Sequence, residues 1–115
     1  MKYLLVILLA GSLHAAAPWE PNFQWTWPTQ YVSGDTLDIA DIQKLDIYCD
    51  GASSPTFTEV PPATSYLSPF KHFGAGDHTC FATVTDVTGA ESGPSNSVNF
   101  TVPVDRPAEP ELSVQ

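Results

Sequence analysis

Basic residues are scarce. The 115-residue chain has four, Lys2, Lys44, Lys71 and Arg106, against 13 acidic ones, for a net charge of −9. A surface of that sign repels phosphate. It argues against nucleic acid and anionic membrane surfaces as partners, since both supply most of their affinity through cationic contacts. The chain also has no apolar run of the ~20 residues that a helix needs to span a bilayer. After the N-terminal segment no stretch keeps a helical period over three turns, which disfavours a helical fold. There are only two cysteines, Cys49 and Cys80, with no CxxC and no standard zinc set around them. No nucleophile motif accompanies His72 or His78, and nothing marks a pair of carboxylates set across a cleft. These absences leave no catalytic residue, no metal site and no cofactor to assign, so the protein is read as not an enzyme.

What is present begins with a leader. Lys2 precedes an apolar run, residues 3–10, and residues 11–17 end in three alanines. One charge, a short apolar stretch and small exit residues are the parts of a secretory signal peptide, assigned to residues 1–17 with cleavage after Ala15 or Ala17. No cysteine follows the run, so no lipid anchor is expected. The protein is therefore expected to be exported, to the periplasm or the outside of the cell. Residues 18–103 form a single small domain, and residues 104–115, rich in proline and glutamate, form a flexible tail.

Within the domain, proline, glycine and turn residues cut the chain into short apolar segments that alternate with period two, so the fold class is all-β. Phe23, Trp25 and Trp27 give a first strand with one aromatic face, closed by Pro28. Residues 29–43 read as a long loop with one helical turn. Leu45, Ile47 and Cys49 alternate with Asp46, Tyr48 and Asp50 in a second strand, which Asp50-Gly51 ends. Residues 57–60 and 64–67 are short strands. From residue 78 to 86, Cys80, Ala82 and Val84 share one face and Thr79, Phe81, Thr83 and Thr85 the other. Val98, Phe100 and Val102 form the last strand.

In an exported chain two cysteines default to a disulfide. If their strands are antiparallel neighbours with Cys49 opposite Cys80, then Ile47 meets Ala82, Leu45 meets Val84, Tyr48 meets Phe81 and Asp46 meets Thr83. Apolar residues then fall on one face, with polar and aromatic ones on the other, and a slip of one residue destroys that agreement. The core is expected to comprise Trp25, Trp27, Leu45, Ile47, Ala82, Val84, Val98, Phe100 and Val102. On the opposite, outer face Tyr48 lies beside Phe81, flanked by Asp46, Asp50, Thr83 and Thr101. Two adjacent rings amid acids and hydroxyls form a candidate ligand face, able to stack on a sugar or dock a protein.

Trp25 with Pro28, the strand of residues 45–49, the turn Phe73-Gly74-Ala75-Gly76-Asp77, and residues 80–86 followed by Gly89, Glu91, Ser92, Pro94, Ser95 and Asn96 together resemble the fibronectin type III domain. The likeness is to the form found in bacterial exported and phage proteins, and it covers about residues 23–102. It implies an immunoglobulin-like β-sandwich, with these segments as strand B, strand C, the E–F turn, strand F and the approach to strand G. The chain departs from the family in carrying the cysteine pair where strands C and F usually have aromatics. Strand A has only residues 16–22 to form from, with Pro18 and Pro21 among them, so it is expected to be short or missing. An edge left open in this way allows a strand-exchange homo-oligomer.

The resemblance implies a binding or structural accessory module, acting in adhesion, envelope or phage-virion decoration through protein or carbohydrate contacts. The alternative is a small secreted inhibitor or effector that inserts the loop of residues 29–43 into a host or competitor enzyme. Asp35, Asp38, Asp41 and Asp46 lack the spacing of a calcium loop and read as solvated surface. Glu91, Ser92, Ser95 and Asn96 read as residues that satisfy backbone groups at a strand-to-strand turn.

Overall fold

The computed structural model describes Ile7–Leu8 and residues 19–115. Apart from Ile7–Leu8, the segment assigned to the leader, with both cleavage points, lies outside the described residues. Among the described residues there are seven strands: β1 (Ile7–Leu8), β2 (Asn22–Thr26), β3 (Ile42–Cys49), β4 (Phe57–Glu59), β5 (Ser65–Leu67), β6 (Gly76–Asp86) and β7 (Val98–Val102). They form two antiparallel sheets, a three-stranded one in the order β1-β2-β5 and a four-stranded one in the order β4-β3-β6-β7. The only helical element among the described residues is the 3-10 turn Ile39–Asp41, in the segment expected to hold one turn.

The β3–β6 ladder has the register that the cysteine pair implies: Leu45↔Val84, Asp46↔Thr83, Ile47↔Ala82, Tyr48↔Phe81 and Cys49↔Cys80. The two cysteines are joined, their Cα atoms 4.1 Å apart. That lies just below the ~4.4 to 6.8 Å usual for disulfides. The neighbouring Asp50 N–H donates to the Thr79 carbonyl at 2.8 Å, which makes Cys49–Cys80 a non-hydrogen-bonded pair, the position where antiparallel strands approach most closely. Leu45, Ile47, Cys80, Ala82 and Val84 are buried with Phe23, Trp25, Trp27, Val98 and Val102 between the sheets; Phe100 packs against this core half-buried. The lower end of the core is aromatic, with Phe23 within 5.8 to 6.2 Å of the rings of Phe57, Phe73 and Phe100.

Several boundaries differ from the sequence reading, and β4 and β5 are each one residue shorter than the expected 57–60 and 64–67. β3 begins at Ile42, inside the expected loop, because Ile42 is buried and pairs with Asp86 across a bulge at Gln43. β6 begins at Gly76, two residues early, because Gly76 and Asp77 pair with Val102 and Thr101. The first strand ends at Thr26, although Trp27 remains buried, its indole N–H donating to the Ala63 carbonyl at 2.8 Å.

Above Cys80 the β7 ladder stops, and serines replace it. The Ala82 N–H donates to Ser95 Oγ and the Val84 N–H to Ser92 Oγ, both at 2.9 Å, while the Ser95 and Ser92 amides donate back to the Ala82 and Val84 carbonyls at 2.8 Å. Residues 91–96 thus complete the edge of β6 around Pro94, which has no N–H to offer. This is the physical content of the Glu91-Ser92-x-Pro94-Ser95-Asn96 pattern.

Two outcomes test this framework. Replacing both cysteines by alanine removes a cross-link that spans 31 residues; chemical denaturation is expected to show a loss of ~3 to 4 kcal/mol, the chain-entropy value for a loop of that length. Ser92→Ala leaves the Val84 amide buried without an acceptor and is expected to cost ~1 to 3 kcal/mol in the same assay.

Candidate functional site

The outer face of the four-stranded sheet follows from the register. Tyr48 and Phe81 stand opposite one another, half-buried, with ring centroids 5.3 Å apart and planes 16° from parallel. Two rows of polar pairs continue the face toward the bottom of the sheet. Thr79 Oγ1 donates to Asn99 Oδ1 at 2.7 Å, and Thr101 Oγ1 donates to Asp77 Oδ1 at 2.6 Å. A shallow recess of about 430 Å³ lies there, lined by Asp77, His78, Thr79, Asn99, Phe100 and Thr101.

The six residues expected to form the face divide. Tyr48, Phe81, Asp50 and Thr101 are accessible at least in part. Asp46 and Thr83 are not, at 3% and 5% exposure. The Asp46 carboxylate is taken up by the Thr58 hydroxyl at 2.6 Å and by Lys44 Nζ at 3.2 Å. Thr83, paired with Asp46 across the ladder, has a buried hydroxyl without a hydrogen-bond partner. Alternation along a strand shows which face a residue takes, but not whether its neighbours leave it uncovered.

Sequence reading also missed a polar joint beneath the rings. Asp50 and Gly51 both have positive φ, 56° and 72°, and the Ala52 N–H closes the turn on the Cys49 carbonyl at 3.1 Å. Positive φ at both central residues is the pattern of a type I′ Asp-Gly turn, here within the longer connection from β3 to β4. The turn points the Asp50 carboxylate at β6, where Oδ1 accepts the Thr79 N–H at 3.0 Å and Oδ2 meets His78 Nδ1 at 2.6 Å. His78 Nε2 lies 2.6 Å from the Gly74 carbonyl, and its ring stacks on Phe100 at 5.3 Å. Both ring nitrogens face acceptors, which the imidazolium satisfies with two N–H donors and the neutral ring does not. Burial opposes the charge, yet Asp50 and the Gly74 carbonyl together raise the His78 pKa above its ordinary 6.5. The hydrogen bond from His78 lowers that of Asp50 below 3.8, against a smaller opposing effect of burial.

Asp86 accepts the Thr88 and Ala90 amides at 2.9 Å and the Tyr31 hydroxyl at 2.9 Å, so it organises the turn after β6. Among the described residues no group of three or more His, Cys, Asp or Glu is placed to hold a metal ion, and no helix is long and apolar enough to cross a membrane. His72 packs its ring 4.9 Å from Phe57. A groove of about 500 Å³ lies at the top of β2, lined by Thr26, Trp27, Pro28, Thr29, Gln30, Tyr31, Val32 and Gly34.

This architecture defines the class: a β-sandwich with the fibronectin type III-like fold. No protein-family model and no curated protein sequence matches the chain. Among solved structures it is similar to the fibronectin(III)-like modules of Clostridium thermocellum CbhA, at 18% identity and a TM-score of 0.62, over 96% of this chain and 54% of that one. It is also similar to part of the Clostridium perfringens spore cortex lytic enzyme SleM, at 15% identity and a TM-score of 0.61, covering 88% of this chain and 29% of that one. A third likeness is to part of a β-1,2-glucanase from Parabacteroides distasonis, at 16% identity and a TM-score of 0.59, covering 92% and 13%. The chain therefore spans about half or less of the length of each.

The His78–Asp50 joint has a pH signature. A raised histidine pKa contributes stability below the unfolded value of 6.5 that is lost as pH rises through the folded value; a lowered aspartate pKa contributes stability above 3.8 that is lost as pH falls through the folded value. The joint is therefore expected to stabilise most between those two values. An NMR titration of His78 should give a midpoint above 6.5 that falls in Asp50→Asn, whose side chain still tolerates the positive φ. An unshifted midpoint in the wild-type protein refutes the assignment.

Proposed function

We propose that the protein is a non-catalytic accessory module, exported by its leader, that binds a carbohydrate or protein ligand through the outer face of the four-stranded sheet. The observation that carries this reading is the near-parallel pair Tyr48–Phe81 on that face, with the hydroxyl, amide and carboxylate rows Thr79–Asn99 and Thr101–Asp77 beside it. Aromatic rings supply contact to the apolar faces of a sugar, while polar rows of this kind bond its hydroxyls. The fold supports the reading: the neighbour whose chain this one covers most fully consists of fibronectin(III)-like modules, and the other two are a glucanase and a cortex lytic enzyme. The joined cysteines suit an oxidising compartment outside the cytoplasm. Adhesion, envelope or phage-virion decoration are the settings in which such a module acts.

The inhibitor reading requires a loop free to enter a partner's cleft. Residues 29–41 are instead tied to the domain by buried Leu37 and by the Tyr31–Asp86 hydrogen bond, and the bridge Gln30↔Thr36 closes the loop on itself. We therefore favour the binding module.

The test is a double substitution, Tyr48→Ser with Phe81→Ser. Loss of a cross-strand aromatic pair costs ~0.2 to 1 kcal/mol beyond its burial, which the disulfide-linked sandwich is expected to survive. Circular dichroism should report an unchanged fold, and retardation in gels containing bacterial or plant polysaccharides, or capture of the native partner, should be lost. A folded variant that binds as well as the wild type removes this face from consideration.

A further inference from the structure

The outer edge of β2 is occupied, and its occupant is unexpected. Strand A, for which only residues 16–22 are available and which is expected to be short or missing, does not form in the described part of that segment, since Trp19, Glu20 and Pro21 carry no strand. Instead β1 pairs antiparallel with β2, Ile7 opposite Thr26 and Leu8 opposite Trp25. Ile7 and Leu8 belong to the apolar run assigned to the leader. The edge has real pairing capacity: the Trp25 N–H donates to the Thr64 carbonyl on the β5 side at 3.0 Å, so the alternating amides of Gln24 and Thr26 point the other way. A strand entering along that edge past Thr26 meets the groove lined by Trp27, Pro28, Tyr31 and Val32. A backbone ladder ending in an apolar recess is the arrangement by which sheets take up an added strand.

We propose that removal of the leader vacates this edge and that residues 112–115 of a second copy fill it, giving a strand-exchanged dimer. The proposal rests on the reading of residues 1–17 as a cleaved leader. The donor is chosen by chemistry and reach. Leu112 and Val114 alternate with Ser113 and Gln115, and at 96% and 98% exposure they make no apolar contact in their own chain. The tail leaves the domain at a fixed point, because Trp19 Nε1 donates to the Pro103 carbonyl at 3.2 Å and Lys71 pairs with Asp105. Trp19 lies just before β2, so a tail climbing its own molecule from that end runs parallel to β2. A tail from a second copy is free to adopt the antiparallel direction that Ile7–Leu8 takes. Pro107 and Pro110 stiffen the intervening residues and hold the donor away from its own domain. Each copy both donates and accepts, so a two-fold axis closes the assembly.

The full chain is expressed in an exporting host, the secreted product is weighed by intact mass, and sedimentation is followed across the micromolar range with amide exchange at Gln24 and Thr26. The expected product lacks the leader, dimerises, and protects both amides. Leu112→Asp with Val114→Asp should raise the dissociation constant on the order of 100-fold, two apolar side chains being denied burial, and should leave the unfolding of the domain unchanged. A processed protein that is monomeric, whether or not Gln24 and Thr26 are protected, overturns the proposal alone, as does a dimer that survives the tail substitutions. A product that still carries residues 1–15 overturns the leader reading together with the proposal.

Discussion

The β3–β6 ladder is the constraint on which the rest of this structure depends. Side chains alternate with period two, so the single alignment Cys49↔Cys80 assigns a face at once to the residues of both central strands between the bulge at Gln43 and the cystine. Leu45, Ile47, Ala82 and Val84 are committed to the core, and Tyr48 and Phe81 to the outside. The cystine sits at a position of closest strand approach and covalently excludes any slipped pairing. For a domain of under 100 residues that buries a modest core, a cross-link of this kind supplies a sizeable share of the net stability.

Around that ladder, side chains finish what the backbone leaves undone. Ser92 and Ser95 take amides that the shortened β7 does not reach, Asp50 takes the Thr79 amide at the lower turn, and Asp86 takes two amides at the upper one. Each replaces a ladder bond at a place where the chain must turn or where proline interrupts pairing. Several of the acidic residues that set the net charge are therefore structural joints. This also explains why the candidate ligand face is narrower than its residue types suggest. Asp46 is consumed by Thr58 and Lys44, so the candidate face comes down to the Tyr48–Phe81 rings and the rows below them.

The two sheets differ in how completely they are closed. The four-stranded sheet has a long central ladder and cross-strand side-chain bonds on its outer face. The three-stranded sheet has a five-residue centre, a three-residue neighbour in β5 and, on its other side, the two-residue partner Ile7–Leu8. The more finished sheet carries the proposed ligand face and the less finished one the proposed association edge, so the two proposals concern different sheets of the sandwich.

Local patterns determined much of this by themselves. Alternation in residues 45–49, 80–86 and 98–102 marks strands, since period two is a property of neighbouring residues, and the lone cysteine pair then leaves one consistent register. Pro28, Asp50-Gly51 and Pro103 mark ends, because proline lacks a donor and Asp-Gly tolerates positive φ. The serine-proline pattern of residues 91–96 is legible as turn chemistry for the same local reason. Properties that depend on what lies across space were not legible. The burial of Asp46 and Thr83, the early start of β3 at Ile42, the union of Asp50 with His78 across 28 positions and the pairing of Ile7–Leu8 with Trp25 all require partners distant in sequence. A strand's own residues state which way each side chain points; only the packed sheets decide what it meets there.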